Sequence, residues 1–134
     1  MQHGLSVPAT FTAVRDLAEA ARTAISHLGA PELWLFELEL AIVETANNIV
    51  AHAQDTDCGR IDLYVSVPAG PNGRFILEFR ASGHALARHH LDNVRMAPPE
   101  AESGRGLALI STCVDELHYE RSGEINIWRL VKIL

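Results

Sequence analysis

The stretch Leu38-Glu39-Leu40-Ala41-Ile42-Val43-Glu44-Thr45-Ala46-Asn47-Asn48-Ile49-Val50-Ala51-His52 decides how this chain folds. Most of it is apolar, yet Glu44, Asn48 and His52 are each four residues from the next. Steps of four rotate a helix by only ~40°, so the three polar groups share one face. Leu38, Ile42, Ala46 and Ile49 make a second face, expected to pack on a sheet. The spacing predicts a helix that opens near Pro31, where proline suits a first turn, and runs to about Ala53. A carboxylate, an amide and an imidazole lined up beside a core suit a site that handles a cation or a proton. A buried polar cluster satisfied by a neighbouring strand is the other reading, and the column alone does not separate the two.

Before this helix, residues 5–9 suggest a short strand stopped by Pro8. Val14, Leu17, Ala18, Ala21, Ile25 and Leu28 then follow helical spacing from Thr10, until Gly29 and Pro31 end the run. After it, Ile61, Leu63, Val65 and Val67 alternate with Asp62, Tyr64 and Ser66, as in a half-buried strand. Gly70-Pro71-Asn72-Gly73 reads as a turn, and Phe75, Leu77 and Phe79 resume the alternation to complete a hairpin. The pattern dissolves between Gly83 and Ser103 into histidine, proline and charge, a stretch long enough for a mobile lid. Residues 104–115 read as a third helix, and residues 118–121 with 124–134 as a closing hairpin turned at Ser122-Gly123. So many hairpins imply a largely antiparallel sheet with helices on one face, an α+β two-layer sandwich. Its other face is left for a partner or a second subunit.

Composition narrows the function classes. At 134 residues and 48% apolar content, the chain reads as one domain, 1–134, with a substantial core. A net charge of −6 with scattered basic residues argues against a nucleic-acid partner. No apolar run approaches the ~20 residues of a membrane span. The N-terminus lacks the features of a signal peptide, so a cytoplasmic location is expected. Cys58 and Cys113 show no metal-ligand spacing and read as buried free thiols. His89-His90 reads as lid or surface.

A second motif is Ser103-Gly104-Arg105-Gly106-Leu107, at the start of the third helix. Glycines let the backbone approach a ligand closely, and a following helix offers unpaired N–H groups to phosphate. A plain helix entry with Ser103 as N-cap is the competing reading. Asn48 has the oxygen to ligate Mg²⁺, which accepts one or two protein ligands beside phosphates and water. Glu44, one turn earlier, is placed to take a proton from an attacking hydroxyl.

The run from Glu44 through Asn48 to His52 resembles the asparagine box of the GHKL (Bergerat-fold) ATPases. The resemblance is closest to the anti-sigma serine kinases of the RsbW and SpoIIAB type. Residues 98–110, from Pro98-Pro99 through Gly104 and Gly106 to Ile110, with Val114-Asp115-Glu116, resemble that family's second glycine box and its helix. Residues 122–134 have the form of its last strand. The pieces cover nearly the whole chain in family order. The resemblance implies a Bergerat fold that uses ATP and Mg²⁺, with Glu44 as general base and Asn48 as metal ligand. It implies Ser103, Gly104, Arg105, Gly106 and Leu107 around the phosphates, Gly83 in the first glycine box, and His52 in support. It also implies a sigma factor as one partner and an anti-anti-sigma antagonist of STAS type as the other. The antagonist would be inactivated by phosphorylation of a serine. Homodimers are common in the family, and Arg15 and Arg22 fall where relatives grip their partners.

One departure stands out. The family's first glycine box is Asp-x-Gly-x-Gly, with its Asp accepting from the adenine amino group, whereas here Ala81-Ser82-Gly83-His84-Ala85 occupies that place. A charge-assisted hydrogen bond contributes about 1.5–3 kcal/mol. Its loss corresponds to roughly 10- to 150-fold weaker ATP binding. Glu124 and Ile125 also fall near where relatives carry a threonine beside the adenine. Two functions therefore stand: an ATP-dependent serine kinase that doubles as an anti-sigma factor, or a non-catalytic Bergerat-fold module that sequesters its partner.

Overall fold

A computed structural model of the chain describes residues 2–53, 59–67, 73–83 and 102–134. Strand β1 (Gln2–Pro8) leads into helix α1 (Phe11–Ile25), and a short 3-10 turn (Ser26–Leu28) precedes helix α2 (Glu32–Ala53). Strands β2 (Arg60–Ser66) and β3 (Arg74–Ser82) follow, then helix α3 (Glu102–Cys113) and strands β4 (Glu116–Ser122) and β5 (Ile125–Ile133). The expected turn at 70–73, most of the expected lid, Cys58 and His89-His90 lie outside the described residues.

Local chemistry explains the boundaries. The Thr10 hydroxyl accepts from the Ala13 N–H at 3.3 Å and caps α1. Gly29, at φ 70°, supplies the left-handed residue that ends the following 3-10 turn, and Gly123, at φ 62°, turns β4 into β5. The third helix begins at Glu102, two residues earlier than the sequence pattern suggested. Ser103 is therefore inside the helix rather than its N-cap, and the residues through Gly106 form its opening turns.

The five strands form one sheet in the order β1-β2-β3-β5-β4, with every neighbouring pair antiparallel. Ile61, Leu63, Val65, Phe75, Leu77, Phe79, Trp128 and Leu130 point to one side and are buried against α1, α2 and α3. Leu38, Ile42, Ala46 and Ile49 of α2 join the same core, as the helical spacing required. The other side of the sheet faces solvent. There Glu78 receives hydrogen bonds from Arg80 at 2.9 Å and Arg129 at 2.7 Å, and Arg80 lies over the Tyr64 ring.

One buried cation joins three elements. Lys132 on β5 donates to the Cys113 carbonyl, the last of α3, at 2.5 Å. It also lies 3.5 Å from the Glu37 carboxylate of α2 and over the Trp34 ring. The Trp34 indole N–H in turn donates to the Ile133 carbonyl at 2.9 Å and meets the Phe75 ring edge-on. The N-terminal end of α2 and the C-terminal end of α3 are thus fixed at the same end of the sheet. The two helices run antiparallel from this anchor, so their other ends are directed toward the end of the sheet that carries Ala81, Gly83 and Asn126.

Two outcomes follow. Lys132→Met keeps much of the stem but strands the Cys113 carbonyl, so it should lower unfolding free energy by about 1–3 kcal/mol. An unchanged urea midpoint would show that the ammonium is incidental. For Glu78, burial works to raise the pKa, but the hydrogen bonds and charges of Arg129 and Arg80 outweigh it. They hold the carboxyl below its ordinary value of 4.5. Its folded pKa being depressed, its contribution is complete above pH 4.5 and is lost as pH falls through the folded value. Glu78→Gln should therefore reduce the acid sensitivity of stability in that window, by on the order of 1 kcal/mol at these half-exposed arginines.

Candidate functional site

The polar column occupies the C-terminal half of α2. Glu44 and Asn48 are half-buried, between the fully buried Thr45 and the core residues Ile49 and Val50. His52 belongs to the same helix, but its side chain lies outside the described residues. Glu44 is within electrostatic reach of Cys113, at the C-terminal end of α3. Burial pushes the Cys113 thiol pKa up, the carboxylates of Glu37 and Glu44 push it further, and Lys132 opposes them. The thiol is free and buried, as expected of this cysteine.

Asn48 carries an informative defect. Its side-chain Nδ2 is buried and has no hydrogen-bond partner among the described residues, and the same is true of the Thr45 hydroxyl. An unmade hydrogen bond of this kind costs about 1–3 kcal/mol. A purely structural asparagine would be expected to satisfy its amide, so the neighbouring-strand reading of the column loses support at this residue. The free Nδ2 can only donate, as to a phosphate oxygen, while Mg²⁺ would take the Oδ1 of the same amide. Among the described residues no cluster of three acidic, histidine or cysteine side chains would hold a metal by itself. Mg²⁺ needs only one or two such ligands when phosphates supply the rest.

The backbone of Ser103, Gly104, Arg105 and Gly106 forms the opening turns of α3, and Leu107 is buried in the core below them. The first N–H groups of a helix have no partner within it and point out of its end. Because α3 is fixed at Cys113, that end lies with the C-terminal half of α2.

At the same end of the sheet lies a row that the sequence did not reveal. Ala81 on β3 pairs with Asn126 on β5, which pairs with Arg121 on β4. All three face the helices by strand alternation. Asn126 is buried, and its Oδ1 accepts from the Tyr119 hydroxyl at 2.5 Å and from Arg121 Nη1 at 2.9 Å. Arg121 Nη1 also donates to the Gly83 carbonyl at 2.8 Å. The Tyr119 ring packs on Trp128, with centroids 4.9 Å apart. Ile125 points to the open face instead, so the residue of β5 that enters the site is Asn126, not Glu124 or Ile125. The two-residue period back from the core positions Leu130 and Trp128 was the signal available for it.

Arg15 is exposed on α1. Arg22 is committed within the fold, donating to Glu39 at 2.5 Å and to Glu32 at 3.4 Å on α2. A shallow depression on the opposite, open face of the sheet is lined by Tyr64, Glu78, His118 and Arg129 among others. It is separated from the α2–α3 site by the sheet itself.

The two-layer α+β fold thus directs a helix N-terminus, an asparagine-bearing helix and a glycine-marked strand end toward the same end of the sheet. Residues 7–132 match the histidine kinase-like ATPase domain family, and the chain belongs to it. Among solved structures, one similar fold is that of the RsbU and RsbW domains of Rv1364c from Mycobacterium tuberculosis. It shows a TM-score of 0.73 and 18% identity, over 99% of this chain and 32% of that one. A second is the histidine kinase domain of the blue-light activated EL346 from Erythrobacter litoralis, with TM-score 0.61, 18% identity, and 94% and 65% coverage. A third comes from the SiaB–SiaC complex of Pseudomonas aeruginosa, with TM-score 0.64, 11% identity, and 98% and 89% coverage. This chain therefore spans about a third and about two thirds of the first two. No curated protein matches. Among the described residues no helix is long and apolar enough to cross a membrane.

The orphaned amide gives a test independent of any activity. Asn48→Leu removes an unsatisfied buried group, so stability should hold or rise by about 1 kcal/mol. A loss above about 2 kcal/mol in chemical unfolding would mark Asn48 as a structural residue.

Proposed function

We propose that this chain is an ATP-dependent protein-serine kinase that also acts as an anti-sigma factor. It would bind a sigma factor and phosphorylate a STAS-type antagonist in a partner-switching cycle. The observation that supports this reading is the buried Asn48 Nδ2, without a partner among the described residues, on a helix packed against α3, whose N-terminus is directed to the Ala81–Gly83 end of the sheet. Asn48 is the residue to hold Mg²⁺, which neutralises developing charge on the phosphates when bound. The first N–H groups of α3, opened by Gly104 and Gly106, bind and orient the phosphates. Ser103 and Arg105 belong to the same phosphate end, Leu107 anchors it in the core, and His52 supports the column. Gly83 lies at the base end of the site. Glu44 accepts the proton of the attacking serine hydroxyl, which is the only covalent task left to the protein in phosphoryl transfer.

The resemblance to a structure containing an RsbW domain and to one of the SiaB–SiaC complex supports a partner-switching role. For the partner surface, exposed Arg15 is the better candidate, since Arg22 is already paired with α2. A second reading rests on a specific observation: Ala81 brings no carboxylate to the base end of the site. In that reading the domain sequesters its partner without catalysis, and homodimerisation through a free surface would serve either role.

Glu44→Ala should reduce phosphoryl transfer to a serine-bearing antagonist about 100-fold or more, while leaving nucleotide affinity and partner capture nearly unchanged. The readout is radiolabel transfer beside a nucleotide titration. Unaltered transfer would remove Glu44 from the mechanism. Absence of transfer in the parent protein, with intact partner binding, would favour the non-catalytic module.

A further inference from the structure

Among the described residues, the base end of the site offers donors. Ala81 offers nothing polar. Asn126 Oδ1, an acceptor by nature, already accepts from Tyr119 and from Arg121. An amide oxygen has two lone pairs, so its capacity is used. The Gly83 carbonyl is likewise engaged by Arg121. Ser82 belongs to the open face by strand alternation. What remains is the guanidinium of Arg121, drawn across β5 toward the end of β3. Its Nη1 makes the bonds to Gly83 and Asn126, while Nη2 and Nε have no partner among the described residues. The side chain is exposed, so a ligand can reach it.

Base chemistry converts this into a preference. The 6-amino group of adenine donates and needs an acceptor, whereas the O6 and N7 of guanine both accept. Arginine is the side chain whose paired N–H groups fit that edge. We propose that Arg121 is a specificity-determining residue that reads the 6-oxo edge of a purine, so that the site takes a guanine nucleotide in preference to ATP. This rests on the nucleotide-site reading above and revises its phosphoryl donor from ATP to a guanine nucleotide. It also accounts for the combination of a retained phosphate end with an absent carboxylate at position 81. Replacing Ala81 by aspartate alone would set that carboxylate beside Arg121, where the two would pair with each other.

The test is calorimetric titration of the full chain with Mg²⁺ and, separately, GTP, ITP and ATP. ITP has the 6-oxo group of GTP without its 2-amino group, so it isolates the contact in question. GTP and ITP should bind roughly tenfold or more tightly than ATP. Arg121→Gln should bring all three within about threefold by weakening the oxo purines alone. The double variant Ala81→Asp with Arg121→Gln should favour ATP, and Ala81→Asp alone should not. Equal or tighter ATP binding in the parent protein would overturn the assignment and leave the nucleotide site intact. So would equal loss of all three ligands in Arg121→Gln, which would mark a phosphate or structural role. Binding of none of the three would remove the nucleotide-site reading itself, and the base preference with it.

Discussion

The buried ammonium of Lys132 is the constraint on which the geometry of the site depends. It ties the last carbonyl of α3, the first turns of α2 and the end of β5 to one point. From there, Glu37 to Asn48 along α2 spans ~16 Å, and Cys113 back to Gly104 along α3 spans ~14 Å. Lys132 back to Asn126 along β5 spans ~20 Å. The three elements therefore run comparable distances from a shared anchor and finish together. A cation at the C-terminus of α3 also satisfies the negative end of that helix dipole, leaving the positive end at the opposite edge, where the phosphates are proposed to bind.

The two ends of the core consequently differ in character. At the Lys132 end, charge is paired within the protein and the aromatic rings of Trp34 and Phe75 seal the contact. At the Asn126 end, polar groups are partly paired with one another and partly left over, as at Asn48 Nδ2. A buried donor left over is costly, which is why Asn48 is the candidate for binding chemistry in the proposed function. The opposite face of the sheet carries its own ion pairs, but those are mutually satisfied and half-exposed.

Much of this was legible in the sequence. The three helices and the strand alternation follow from apolar spacing, because burial on one face imposes a period of 3.6 or 2. The Glu44–Asn48 column was visible for the same reason. Less legible were contacts that depend on strand order. Nothing in the spacing of Arg121, Asn126 and Ala81 states that β5 lies between β3 and β4, and only that order puts the three in one row. Lys132 was equally hidden, since a lysine in a strand reads as solvent-facing until a helix end is found above it. The start of α3 was placed late because the glycines of its first turns weaken the periodic signal on which the reading relied.

The most direct test of the account is an amide-resolved NMR titration of the chain with a magnesium–purine nucleotide. The account predicts perturbations concentrated at Asn48, at Gly104 and Gly106, and at Gly83, Arg121 and Asn126, with the open-face residues Tyr64, His118 and Arg129 undisturbed. Perturbations confined to the open face, or none at saturating nucleotide, would contradict a nucleotide site at the meeting point of α2 and α3.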